Sequence, residues 1–314
     1  MTPSKVGGMT DSLLRRVQHS VAPLQRRELE AALAICALDP VASVVPAMHL
    51  ETALRSGHLS AGLWAVRRRA GLGRELAGVV WNGANFTAVL QASDELAADS
   101  QRADVAAGAV SRLARPAAMV GSAEVTLDLW GRLEPWWGPA REVRPRQLSM
   151  AISGPARHVG AIASNGLDLE AVRRATLADY DDLLPACVHM FIGEVGYDPM
   201  RHGRVAYEDR LRSLVRAGRA FLQYGTVDGR RAVVFKTEVG ALGGSVAQLQ
   251  GVWVHPALRG RGLARAGVAS VIAGTQATLA PTVSLYVNDY NTPAIAAYDA
   301  VGFERVGMFS TVMF

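Results

Sequence analysis

The sequence predicts an α/β chain, a mixed sheet flanked by helices, built in two successive halves. Three observations carry that expectation. Half of the 314 residues are hydrophobic, which is enough apolar surface for two buried cores. Short β-branched segments alternate with helix-length segments through both halves. A glycine-marked turn, Arg259-Gly260-Arg261-Gly262-Leu263-Ala264, stands between a strand-like segment at 248–255 and a helix-like segment at 264–280.

Residues 1–20 are polar and are expected to be mobile; the first eight contain no hydrophobic secretion core. The first half, 21–154, opens with helices at 28–38 and 41–54. Strands follow at 61–66 and 77–90, the latter folded at Asn82-Gly83, a tight-turn dipeptide. Then come a helix at 97–113, a strand at 117–120, a helix at 122–133 capped by Ser122, and a strand at 144–152. Residues 155–166, between Gly154-Pro155 and Asn165-Gly166, read as a linker with turn chemistry.

The second half, 167–314, predicts a strand to Thr176, a helix at 177–193 and a helix at 207–216. Strands at 220–227 and 231–239 flank the turn Asp228-Gly229, and a further strand runs over 248–254. After the glycine turn and its helix, 283–287 is apolar enough for a buried strand. Asn291 or Thr292 caps a helix with Pro293 in its first turn, and Gly302 ends it. A terminal strand pair closes the chain at Phe314.

Glycines at a strand-to-helix turn leave backbone N–H groups uncovered where the helix dipole favours an anion, so a phosphate is the expected guest. A dinucleotide fingerprint would need a third glycine where Arg265 stands, and no Gly-Lys-Ser/Thr follows for a P-loop. The plain alternative is an ordinary turn. The pattern Arg-x-x-Gly-x-Ala, preceded by Val252-Trp253-Val254-His255-Pro256, resembles the acyl-CoA pyrophosphate loop of the GNAT N-acetyltransferase superfamily. The downstream run Leu285-Tyr286-Val287, Asn291, Ala297-Tyr298 and Gly302-Phe303 resembles the closing motif of the same superfamily. The resemblance covers roughly 167–314, and the order of predicted elements there is the GNAT order. The first half repeats the rhythm but has Gln91-Ala-Ser-Asp-Glu-Leu where the loop would fall. Asp94 and Glu95 would complement the helix dipole themselves, so this half is expected to be a degenerate GNAT-like domain that binds no CoA. It also resembles, loosely, the uncharacterised domain that precedes GNAT domains in bacterial two-domain proteins. Mycothiol synthase, another two-domain protein, carries a closing run similar to that of the second half.

The resemblance implies acyl-CoA as co-substrate, acetyl-CoA first, and an amine acceptor attacking the thioester directly in a ternary complex. It implies cofactor contacts from Val252, Trp253, Val254, Arg259, Gly260, Arg261, Gly262, Leu263, Ala264, Arg265, Asn291 and Tyr298. Val252 is the residue chosen for the backbone N–H that bonds the thioester oxygen, and Tyr298 for the acid that protonates the leaving thiolate. Asn291 also reads as a helix cap, and Tyr298 as a core aromatic. The general base is a gap: relatives place a glutamate near Gln248 or Tyr286, and neither is a carboxylate here. Glu194, Glu238 and His255 remain, each reading first as a surface residue, and a water chain is the other route. The acceptor is expected over the loop 193–199, with the first half either supporting the sheet or closing one side of that site.

Composition narrows the alternatives. No apolar run reaches the length of a membrane span, and a soluble, cytoplasmic protein is expected. Cys36 and Cys187 lie far apart in helix-like apolar surroundings and read as small buried hydrophobes in a reducing compartment. The seven histidines have no metal-ligand spacing, so no metal is expected. The net charge of +5 and pI near 9.5 come from dispersed arginines, with only Lys5 and Lys236 as lysines, so no nucleic-acid stripe forms. The expectation is an acyl-CoA-dependent N-acyltransferase. The alternative is a non-catalytic acyl-CoA-binding regulatory module, and a basic nucleic-acid binder stands third.

Overall fold

The computed structural model describes residues 19–70, 73–157, 168–201 and 203–314. Most of the expected mobile N-terminus and of the linker at 155–166 lies outside them, as do His158 and His202. Contacts divide the chain into two units, Met1–Gln147 with Met308–Phe314, and Leu148–Gly307. The sequence reading places its divide at 155–166 instead.

The first unit has strands β1 (His19–Pro23), β2 (Leu63–Ala70), β3 (Gly73–Asn82), β4 (Asn85–Leu90) and β5 (Ala118–Ser122) in that spatial order. The C-terminal residues of β12 (Glu304–Met313) then pair antiparallel with β5, from Phe309 opposite Ser122 to Met313 opposite Ala118. Helices α1 (Leu29–Cys36) and α2 (Val44–Ser56) bury Leu29, Ala32, Leu50 and Ala53 against Leu63, Ala65 and Val79. Helices α3 (Glu95–Arg112) and α4 (Ala123–Trp137) bury Val105, Ala109, Leu129 and Leu133 against Val66, Val80 and Phe86. The alternation along β2 and β3 sends neighbouring residues to these two cores, as the two-residue period of a strand requires. Strands β4 and β5 run parallel and pair only through Asn85–Ala118 and Phe86–Met119.

The second unit repeats this plan. Its sheet runs β6-β11-β10-β9-β8-β7, where β6 is Glu142–Ile152, of which Leu148–Ile152 lies in this unit, and β7 is Arg173–Arg174. The others are β8 (Ala220–Val227), β9 (Arg230–Gly243), β10 (Val246–Val254) and β11 (Thr282–Asn288). Helices α5 (Tyr180–Val195) and α6 (Arg204–Arg216) pack on one face through Leu183, Cys187, Leu211 and Val215, against Leu222, Tyr224 and Trp253. Helices α7 (Leu263–Gln276) and α8 (Thr292–Val301) cover the other through Val268, Val271, Ile272 and Val301, against Phe235, Leu249 and Leu285. Gly267 lets α7 lie close to β9, since a Cβ there would stand 2.6 Å from the Phe235 ring.

Several sequence expectations are corrected. The strand expected up to Thr176 is a single bridge at Leu169 and the two-residue β7. The terminal strand pair is one continuous strand, β12. Strand β1 forms at His19–Pro23, where polar neighbours masked its apolar alternation. Ser122 precedes α4 but makes no side-chain cap, its backbone being committed to β5.

Asp179 ties the start of α5 to the sheet. Its carboxylate accepts both Arg173 guanidinium nitrogens at 2.8 and 2.6 Å, and the Thr176 backbone N–H at 2.8 Å. Arg173 foremost, with the Thr176 bonds, holds the Asp179 carboxyl well below the usual range, against the opposing effect of burial. A depressed folded value means stability that is present above the unfolded aspartate value of about 4 and is lost as pH falls toward the folded one. Asp179→Asn should therefore cost about 1–2 kcal/mol near neutral pH, discounted because Arg173 is 40% exposed. Urea denaturation should show that difference shrinking below about pH 4; an equal cost at every pH would contradict the assignment.

Candidate active site

Strand β10 is the axis of the site. It pairs antiparallel with β9 along one edge and parallel with β11 along the other. The parallel ladder holds only Val246–Thr282, Ala247–Val283 and Gln248–Ser284. Beyond them β10 runs on to Val254 and β11 to Asn288 with no further ladder pair among the described residues. The strands part, and the backbone groups along this gap need partners other than a neighbouring strand.

The opposite edge of β10 carries a β-bulge. Gln250 stands opposite Glu238 and Trp253 opposite Lys236, so Gly251 and Val252 share Thr237. Gly251 takes φ +60°, which glycine adopts without a Cβ penalty. After the bulge, the His255 N–H donates to the Val234 carbonyl on β9 at 2.9 Å. By the alternation of an antiparallel ladder, Trp253 also turns its backbone groups to β9, and Val252 and Val254 turn theirs to the gap. The Val252 and Val254 side chains pack toward the α7 and α8 core, while Trp253 is buried on the α5 face.

The chain leaves β10 through a 3-10 turn, Pro256–Leu258, where His255 Nδ1 accepts the Ala257 N–H at 3.3 Å. Arg259 Nε donates back to the Val254 carbonyl at 3.3 Å. Gly260 and Gly262 then take φ of +76° and +83°. Gly262 is the N-cap of α7 and supplies no capping side chain, so the first-turn N–H groups at Leu263, Ala264 and Arg265 lack a side-chain cap. A Cβ on Gly260 would meet nothing within 4 Å, and one on Gly262 only Arg265 Nη2 at 4.0 Å. Arg259, Arg261 and Arg265 are exposed around this opening. Uncapped N–H groups, a helix dipole and three guanidinium groups form a cradle that fits a diphosphate.

The corresponding helix of the first unit, by contrast, carries a side-chain cap. Asp94 is the N-cap of α3, its carboxylate accepting the Ala97 N–H at 2.8 Å and the Ser93 hydroxyl at 3.0 Å. The Ala97 N–H foremost draws the Asp94 carboxyl below its usual range.

Tyr298, on α8, is 7% exposed and edge-on to Phe303. Burial pushes its phenol up, and the Glu194 carboxylate adds to the shift, so the hydroxyl holds its proton at neutral pH. Asn291 Oδ1 accepts the Ala294 N–H at 3.3 Å, so its capping role is realised. One strand, one turn and one helix thus bring together Val252, Trp253, Val254 and the residues from Arg259 to Arg265, while Asn291 and Tyr298 sit on the helix after β11.

The expectation that Glu238 is a surface residue is wrong. It is 4% exposed on β9, where its Oε1 accepts Lys236 Nζ at 2.7 Å and Cys187 Sγ at 3.3 Å. Burial alone would lower the Lys236 ammonium, but the Glu238 charge and Cys187 raise it above its ordinary value, so it stays a cation. Burial, then Glu238, pushes the Cys187 thiol up. His255 is half-buried and serves as a local cap, and Glu194 is exposed. His189, read in the sequence only as one of seven scattered histidines, accepts Trp253 Nε1–H on Nδ1 at 3.3 Å. The one sequence signal for the buried cluster is the rarity of lysine, with Lys236 one of two.

Comparisons with known proteins bear on the fold. Residues 190–303 match the acetyltransferase (GNAT) family, and residues 61–183 match a domain of unknown function, DUF4081. A GCN5-related N-acetyltransferase from Sphaerobacter thermophilus is similar in structure, with a TM-score of 0.58, 16% identity and coverage of 94% of this chain and 96% of that one. A Drosophila protein gives 0.55 at 13% identity, covering 94% and 98%. A GNAT-family acetyltransferase from Colwellia psychrerythraea gives 0.50 at 12% identity, covering 94% and 99%. At these identities the likeness shows the fold. No curated protein matches the chain. Residues 190–303 thus form a domain that matches the acetyltransferase (GNAT) family, behind a domain that matches DUF4081. Among the described residues, no helix is long and apolar enough to cross a membrane, and no cluster of side chains could hold a metal ion.

Acetyl-CoA at about a hundredfold excess over its Kd should stabilise the chain by ~2.7 kcal/mol. Gly262→Val should abolish that gain, because φ +83° is strained for a β-branched residue and the side chain would enter the anion cradle. Melting curves that do not move with millimolar acetyl-CoA, or that still move in the variant, would refute the cradle.

Proposed function

We propose that this protein transfers an acyl group, acetyl first, from acyl-CoA to an amine by direct attack within a ternary complex. The single observation that carries the reading is the gap between β10 and β11, with Val252 facing it and the uncapped α7 N-terminus at its end. The bound thioester supplies the activated acyl group. The cradle at Gly260, Gly262, Leu263, Ala264 and Arg265 holds the diphosphate, with Arg259 and Arg261 neutralising charge. The Val252 N–H donates to the acyl oxygen as negative charge develops there, the kind of contact worth on the order of 3 kcal/mol. Asn291 caps α8 and so orients Tyr298, whose protonated phenol gives its proton to the leaving thiolate as the C–S bond breaks; the proton lost by the amine nitrogen as it bonds to the acyl carbon returns through water to the phenolate. Direct attack, rather than an acyl-cysteine step, is supported by the cysteines: both are buried, with Cys36 pushed up to about 12 by burial and Cys187 pushed up likewise.

One observation favours a second reading. Gln248 and Tyr286 stand on the two strands that frame the gap, and neither supplies a carboxylate base. A module that binds acyl-CoA without turnover would look like this. An amine panel read by free-thiol release separates the two: amine-dependent release supports transfer, and binding without release supports the module.

Tyr298→Phe keeps the ring packing and removes the proton donor. At saturating substrates its kcat should fall about 10²-fold with little change in acyl-CoA affinity; unchanged turnover would return Tyr298 to the core. Calorimetric titration of the full chain should give one acyl-CoA per chain, removed by Gly262→Val. A second equivalent, or one that survives the substitution, would contradict a single site at the α7 start.

A further inference from the structure

The bulge that turns Val252 toward the gap is braced by three consecutive buried residues of β9. Glu238 and Lys236 are the residues opposite Gln250 and Trp253, the two sides of the bulge, and Thr237 alone faces Gly251 and Val252. Thr237, with no exposed surface, donates its hydroxyl to the Gln250 carbonyl at 3.0 Å. That carbonyl is the one at the register break, so the hydroxyl replaces a ladder partner. Lys236 and Glu238 lie two apart on one strand, so their side chains share the α5 face and close on each other at 2.7 Å. They are packed against the bulge itself. A Cβ on Gly251 would stand 2.9 Å from both Glu238 Oε2 and Lys236 Nζ, and 2.7 Å from Met190 Cε.

A buried ion pair is a poor device for stability, because desolvation offsets most of the attraction and apolar replacements of similar size are often neutral or better. Where such a pair is useful, it is in fixing one register against competitors. The competitor here is a regular β9–β10 ladder without the extra residue. A one-residue slip reverses the facing of every position beyond it, and it would turn the Val252 N–H away from the gap.

We infer that Lys236, Thr237 and Glu238 are positioning residues for acyl transfer: they hold the β10 bulge in register and thereby aim the Val252 N–H at the acyl oxygen. This rests on the proposed function, through the role given to Val252. Cys187, whose thiol also donates to Glu238 Oε1, fastens the pair to α5.

The test uses the full chain with acetyl-CoA labelled with ¹³C at the thioester carbonyl. Isotope-edited infrared spectroscopy reads how strongly a bound carbonyl is polarised, and steady-state kinetics with an amine that the wild type acetylates reads kcat. The wild type should shift the carbonyl stretch to lower frequency on binding. The double variant Lys236→Met with Glu238→Met fills the space without charge. It should bind acetyl-CoA within about twofold of wild type, lose most of the carbonyl shift, and lower kcat by about tenfold to a hundredfold, short of losing a whole donor. Thr237→Val, which replaces one hydroxyl by a methyl, should move both readouts the same way to a smaller extent. It carries the test alone if the double variant fails to fold. A folded variant with the wild-type carbonyl shift and kcat overturns the inference. No carbonyl shift in the wild type would instead overturn the role of Val252 and the function built on it.

Discussion

The parting of β10 from β11 after three paired residues is the constraint on which the rest of the site depends. A buried strand that loses its neighbour leaves backbone donors and acceptors without partners, a costly state unless something else satisfies them. Every local feature nearby fits that one circumstance. The bulge at Gly251 and Val252 rotates the unpaired groups toward the gap. The turn through Gly260 and Gly262 ends the strand and opens a helix with no side chain over its first N–H groups. Such an arrangement suits a ligand that brings an acyl oxygen to one end and a diphosphate to the other.

The two units show what changes when this plan is kept and the site is not. Each joins two parallel strands through a long helix, and in each the pairing is brief. The first unit caps its helix start with Asp94, whose carboxylate takes the Ala97 N–H. The second leaves the same place to Gly262. The two helix starts thus differ in their capping residue, a carboxylate in the first unit and a glycine in the second.

Much of this was legible in the sequence because it lies in local chemistry. Positive-φ glycines, the Asn291 cap and Gly302, and the period-two cores of the strands all leave marks within a few residues. The illegible part is long-range. Glu238 reads as a surface residue by type, and only the β9–β10 register reveals Gly251 packed against the Lys236–Glu238 pair. His189 meets Trp253 across 64 positions. The seven C-terminal residues from Met308 belong with the first unit, a pairing of β12 with β5 that no local signal announces. Ser122 shows the reverse error, a good capping type whose hydroxyl makes no cap where β5 runs into α4.

The central claim is that the gap along β10 and the start of α7 form one continuous acyl-CoA site. Hydrogen–deuterium exchange with and without acetyl-CoA tests it at the level of the backbone groups involved. The account predicts added protection at Val252 and Val254 and at the amides from Gly260 to Arg265, with no change from Gln91 to Ala98. Protection at 91–98, or acetyl-CoA binding that leaves 260–265 unprotected, would contradict it.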